Sequence, residues 1–200
     1  MSVVAFPMKK PENMLCGNAC IKVLEACYTK VIIATSNIEQ SMRWSSELAN
    51  CLSRNGVDVS LHCWNSNLYN DYIVCLEHQD IIHEVEGFKA LFDYECAGGK
   101  VYLTQPVCEI IKEQLNEGPI IICVSSTIWH NDVNLSGGHF IVLLCHNEDG
   151  CLVADPGKET ISLIYHNIDY VLQAMQPFGG WRICCKIDEN VLARLEDHSC

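Results

Sequence analysis

Three short segments hold residues that could do chemistry together. The first is Cys16-Gly17-Asn18-Ala19-Cys20. A thiol becomes a useful nucleophile once it ionises, and the positive end of a helix and a nearby imidazolium both favour the thiolate. Ala19, Cys20, Val23, Leu24 and Cys27 recur at helical spacing, which predicts a helix from about Cys16 to Tyr28 with Cys16 in its first turn. Gly17 would let a substrate backbone come close. Taken alone, one thiol among fourteen is more often a small buried hydrophobe.

The second segment is Gly137-Gly138-His139, followed by the apolar run Phe140 to Leu144. A histidine at the mouth of a buried strand is held rigidly while its ring can still face a cleft, as a general base requires. None of the other seven histidines follows a glycine pair at a predicted strand start. The third is Val153-Ala154-Asp155-Pro156-Gly157. Asn147 to Gly150 reads as a hairpin turn, and His139 and Asp155 are sixteen residues apart, centred on it. The hairpin would set the carboxylate beside the ring, to accept Nδ1–H and steady the imidazolium. An aspartate in a turn before proline is also common without such a role. Together Cys16, His139 and Asp155 could attack an acyl carbon and form a thioester. His139 would then protonate the leaving group, and water would finish the hydrolysis.

The elements that must position these groups follow from periodicity. Pro7 and Pro11 block helix before Leu15, which predicts an extended lead-in segment. A second helix is predicted over 38–55, closed by Asn55-Gly56. A strand is predicted over 57–63 and helix in two pieces over 71–94. A short strand over 101–103 and a helix over 105–116 follow. Further strands are predicted at 119–125, 139–146, 151–154, 161–165 and 181–187, with a polar loop over 130–138, a helix over 168–175 and a short terminal helix. Helices crowd the first half and hairpin-paired strands the second. That predicts an α+β fold, N-terminal helices packed on a C-terminal antiparallel sheet.

Composition bounds the rest. Two hundred residues, 49% hydrophobic and 19% charged, describe one packed domain spanning 1–200. A net charge of −12 repels phosphate backbones, so no nucleic-acid partner is expected. The longest apolar runs are strand-sized, so no membrane partner is expected, and no signal segment is legible. Fourteen cysteines without such a signal predict reduced thiols in a cytoplasmic, reducing compartment. No C-x2-C pair exists, and Cys184-Cys185 with His198 and Cys200 matches no zinc spacing, so no metal and no cofactor are expected.

At Cys16-Gly17-x-Ala19-Cys20, Gly138-His139-Phe140-Ile141-Val142-Leu143 and Asp155-Pro156, the sequence resembles papain-like cysteine peptidases of the C39 and C39-like group. That group includes the leader-removing domains of bacteriocin transporters. The sequence is also similar to the related eukaryotic proteins called guanylyl-cyclase-domain-like. The resemblance implies a papain-like fold and a Cys16, His139, Asp155 triad acting on a protein or peptide. Members typically carry a glutamine shortly before the nucleophile as an oxyanion donor, and here there is none. By count Lys10 takes its place, and Asn13 is the only uncharged amide nearby. Either would act with the backbone N–H of Cys16. The stretch between Cys16 and His139 is longer than in compact leader peptidases, which suggests an insertion around 65–99.

The expected function is therefore a cysteine peptidase. The alternatives are other thiol-acyl chemistry on the same fold, such as deamidation or acyl or peptidyl transfer, or an inert interaction module. No phosphate-cradling loop or paired acidic metal site supports a cyclase. Gly17, Gly138 and Trp129 are expected at the substrate, though a core anchor is the commoner role of a tryptophan such as Trp129. The oligomeric state is left open.

Overall fold

A computed structural model describes residues 4–9, 14–28, 31, 42–64, 82–148, 150–157 and 160–187. In chain order the elements are β1 (Val4–Lys9), α1 (Cys16–Cys27), α2 (Ser45–Arg54), β2 (Val59–Cys63), α3 (Ile82–Cys96), β3 (Lys100–Leu103) and α4 (Cys108–Glu117). There follow β4 (Ile120–Ser125), α5 (Ser126–His130), β5 (Gly138–His146), β6 (Cys151–Asp155), β7 (Thr160–His166), α6 (Ile168–Met175), a 3-10 turn (Gln176–Phe178) and β8 (Arg182–Cys185). The fold is α+β.

The strands make one sheet in the order β1-β7-β6-β5-β4-β8-β2-β3. Every pairing is antiparallel except β2 with β3. The sheet is thus less C-terminal than expected, because β1, β2 and β3 come from the first half. Pro7 stands in β1, an edge strand, where a missing ladder N–H is tolerated. The predicted helix over 38–55 begins at Ser45, and 38–41 lie outside the described residues, as do 71–81 and the predicted terminal helix.

Alternation along the strands sends side chains to two cores. On one face Ile121, Phe140, Val142, Ala154 and Ile183 pack with Ile21, Leu24 and Leu48 from α1 and α2. On the other, Ile122, Ile141, Leu143 and Val153 pack with Ile111 of α4 and Val171 and Met175 of α6. Truncating one of these fully buried residues, such as Leu48 or Ile141, to alanine costs about 2–5 kcal/mol. Helix α3 docks on α2, where Trp44 covers the bare Cα of Gly87 and Ser46 Oγ donates to Gly87 O at 3.2 Å. Among the described residues no helix is long and apolar enough to cross a membrane, and no disulfide joins the described cysteines.

The β5–β6 hairpin positions the acid against the base. Its turn is closed by Asn147, whose Oδ1 accepts from Gly150 N at 2.9 Å. Pairing runs Cys145 to Leu152 and His146 to Cys151 near the turn, then Val142 to Ala154 and Leu143 to Val153. Leu144 is therefore an extra residue, a bulge that shifts the register by one. Continued outward, this register sets Asp155 across from Ile141, with His139 diagonal to it on the same face. Diagonal neighbours lie ~7–8 Å apart at the backbone, within reach of long side chains.

Candidate active site

Cys16 is the first residue of α1, a twelve-residue helix. Leu15 at the cap offers no side-chain hydrogen bond, so the first N–H groups of α1 get no help from it. Helix α1 lies on one face of the sheet, whereas His139 and Asp155 share the face of Ile141 and Val153. The nucleophile candidate meets the other two at the strand ends.

His139 Nε2 lies 2.6 Å from Asp155 Oδ1, with both residues under 10% exposed. The sequence reading put the carboxylate on Nδ1. The structure puts it on Nε2. The same ring is hydrogen-bonded to the Cys16 side chain, which leaves Nδ1 as the nitrogen facing sulfur.

The charges interlock. Burial opposes ionisation of Cys16. The hydrogen bond with His139, the backbone of Phe140, the charge of His139 and the backbone of Gly17 outweigh it and carry the thiol below its ordinary pKa. Burial likewise opposes protonation of His139, but the bonds to Asp155 and Cys16 and their charges raise it to about 9. Burial favours the neutral form of Asp155, yet His139, the indole of Trp129 and the charge of His130 hold it below the usual carboxylate range. Other thiols move the opposite way. Burial pushes Cys123, Cys151 and Cys184 up to about 12.

Trp129 is 6% exposed, and its Nε1–H donates to Asp155 Oδ2 at 2.8 Å. It stands as a buried anchor, the commoner of its two expected roles, rather than open to substrate. It holds the acid, and its buried ring packs in the core. The residues just before the loop predicted over 130–138 form helix α5, started by Ser125 Oγ accepting from Ile128 N at 3.4 Å. Tyr170 Oη donates to Ile128 O and Trp129 O, at 2.6 and 3.0 Å, and the His166 ring lies 4.5 Å from the indole. No spacing rule announces an indole–carboxylate bond, which is why the sequence did not reveal it. His130, exposed, sets its ring 5.3 Å from that of His139. The sequence did not single it out.

Gly17 also departs from expectation. A Cβ there would lie 2.7 Å from Met42 O and 3.4 Å from Leu48, so its missing side chain serves the docking of α1. Gly138, exposed at the start of β5, backs onto Cys123 Sγ and the Phe178 ring. Lys10 and Asn13 lie outside the described residues. His130, His139 and Asp155 each put one potential metal-ligand atom within 4.8 Å of the others. His139 and Asp155 are already bonded to each other.

An ionisable thiol, a raised imidazole and a depressed carboxylate, joined in series, define a thiol–imidazole–carboxylate constellation on an α+β scaffold. Its chemical capacity is nucleophilic attack with proton return. A solved double glycine motif protease from an AMS/PCAT transporter, in complex with the leader peptide, is similar to this chain. Identity is 14%, coverage is 93% of this chain and 92% of that one, and the TM-score is 0.49. No family model matches the chain, and no curated protein does.

Proposed function

We propose that this protein is a cysteine peptidase that hydrolyses a peptide bond in a protein or peptide. The observation that carries the reading is one ring bonded to the Cys16 side chain on one side and to Asp155 at 2.6 Å on the other. Cys16 attacks the carbonyl as thiolate. The tetrahedral oxyanion takes the Cys16 backbone N–H, one of the donors a helix start leaves over, with Asn13 or Lys10 as second donor. His139, still protonated, gives its proton to the leaving amine, and the C–N bond breaks to leave a thioester. Water, deprotonated by His139, then releases the acid and restores the thiol. Asp155, held by Trp129, keeps the imidazolium charged and oriented through both steps.

Iodoacetamide labelling read by mass spectrometry tests the first link. One of the fourteen cysteines should label fast. That signal should vanish in Cys16→Ala and slow in His139→Ala. Uniformly slow labelling refutes the reading in favour of an inert module. Incubation with peptide pools tests the second link. Peptidase action gives two fragments that together gain one water, whereas a deamidated but intact peptide would show the same thioester chemistry serving another acceptor.

A further inference from the structure

A second thiol shares the seat of Cys16. Cys123 lies in β4 directly across from Phe140 of β5, and Val124 lies across from His139. Residues paired across two strands point to the same face, so the Cys123 side chain stands with Phe140 toward the α1 layer. Cys16 packs against that same layer. Hydrogen bonds bring the two thiols to one spot. The Cys16 thiol is bonded to the backbone of Phe140, and the Cys123 thiol to the backbone of His139. These are consecutive residues of one strand, with Cα atoms ~3.8 Å apart. Gly138 makes the room, since a Cβ there would stand 2.9 Å from Cys123 Sγ. Both cysteines are half-buried, so neither is sealed in the core.

The two thiols are held in opposite states. Cys16 ionises below the pH of an ordinary thiol. Burial, and then the charge of Cys16, push Cys123 up to about 12. The pair therefore holds one thiolate and one protonated thiol. An oxidant attacks the thiolate first. Once Cys16 is oxidised to a neutral sulfenic acid, its charge no longer helps to keep the proton on Cys123. Cys20 is a poorer partner. It lies one turn along α1, where Cβ atoms are ~5–6 Å apart, and a disulfide needs them ~3.5–4.5 Å apart.

We propose that Cys16 and Cys123 form a reversible disulfide when the protein meets hydrogen peroxide, and that this bond switches the nucleophile off. The Cys16 thiolate attacks one peroxide oxygen. The S–O bond forms, the O–O bond breaks, and the departing hydroxide takes the His139 proton and leaves as water. Sulfur has given two electrons to the peroxide. Cys123 sulfur then attacks Cys16 sulfur. The S–S bond forms, the S–O bond breaks, and the second hydroxide leaves as water with the Cys123 proton. Two equivalents of a small thiol return the disulfide to two thiols by exchange. While the bond holds, Cys16 is neither oxidised further nor able to attack an acyl carbon. The inference rests on Cys16 being an ionised nucleophile, which the peptidase reading also requires, but not on a peptide being its substrate.

The test treats the full chain with hydrogen peroxide and then maps its cysteines by mass spectrometry without reduction. A Cys16–Cys123 link, two hydrogens lighter than the reduced pair, is expected, located by fragmentation of the joined peptides. Fast iodoacetamide labelling of Cys16 should be lost with peroxide and recovered with dithiothreitol. In Cys123→Ser and Cys123→Val, each compared with its own untreated protein, Cys16 should instead gain two or three oxygens, and dithiothreitol should not restore it. The mapping on the parent chain decides the matter even where both variants fold poorly. Peroxide that yields no link, a link from Cys16 to any other cysteine, or full recovery in both Cys123 variants overturns the proposal. Fast labelling of reduced Cys16 without a link under peroxide refutes the switch alone. A Cys16–Cys123 link in a protein that cleaves no peptide upholds the switch and counts against the peptidase alone.

Discussion

Replacing Trp129 with phenylalanine removes the indole donor to Asp155 while keeping an aromatic ring against His166 and Tyr170. The lost interaction is a 2.8 Å bond to an ionised, buried carboxylate. Hydrogen bonds to charged groups contribute roughly 1.5–3 kcal/mol, which is about one to two powers of ten in the carboxylate's ionisation equilibrium. Asp155 has two sources of stabilisation larger than the indole, its bond to His139 and the charge of His139, so the pair persists, weakened. Asp155 should then keep its proton to a higher pH than in the parent, so on the acid side the imidazolium loses its counter-charge, and the Cys16 thiolate its partner, earlier as the pH falls. The assay is the rate of Cys16 alkylation across pH, with the labelled site read by mass spectrometry and the fold checked by circular dichroism. The thiolate–imidazolium plateau should retreat on its acid side. A Trp129→Phe protein that folds and keeps the parent profile would show that the indole only fills space, and the account of Asp155 would be wrong.

Four further outcomes follow from the same geometry. Peptide turnover should rise with pH as Cys16 loses its proton below the pH of an ordinary thiol, then fall through about 9 as His139 loses the proton meant for the leaving group. A flat profile through that upper limit would exclude His139 as the acid. His139, raised from 6.5, adds stability below that pH and loses it on the way up, while Asp155, lowered from 3.8, adds stability above that pH and loses it on the way down. In a Cys16→Ala background, denaturant midpoints should show the pair's full contribution between those values and its decline above 6.5, with the decline absent once Asp155→Asn is added. Gly17→Ala gains about 1 kcal/mol of helix propensity but sets a methyl 2.7 Å from Met42 O, and such overpacking costs about 1–3 kcal/mol; a higher urea midpoint would contradict the packing role. Gly150→Ala would press a methyl to 2.2 Å from His166 O, so it should lower stability and slow Cys16 labelling together; loss of one without the other would separate the hairpin from the site.

Much of this arrangement is legible in the residues. The runs Ile120 to Val124 and Phe140 to Leu144 are continuous because both faces of the sheet are covered, and that pattern reads as strand without a structure. The Asn147 to Gly150 turn supplies the hairpin. The Leu144 bulge is not legible, since packing on the two faces decides which residue is left out of register. That one residue decides that Asp155 falls on the same face of the hairpin as His139. The five-residue helix α5 is too short to show a period, and its start depends on a single serine cap. Trp129 and His130 sit beside the acid and the base through tertiary contacts that no linear spacing encodes. β3 runs parallel to β2, a pairing that depends on α3 crossing between them, and a four-residue strand does not announce its partner.

The sulfur and the acid–base pair hang from opposite layers of the molecule, meeting only where α1 overhangs the sheet's rim. Such a centre depends on both layers being seated. Loosening of the α1 layer would separate the thiol from its ring while the hairpin held the imidazole and carboxylate together. Sensitivity of Cys16 to alkylation is thus a local gauge of whether the two layers are seated, and heating or mild denaturant should silence it before global unfolding is seen.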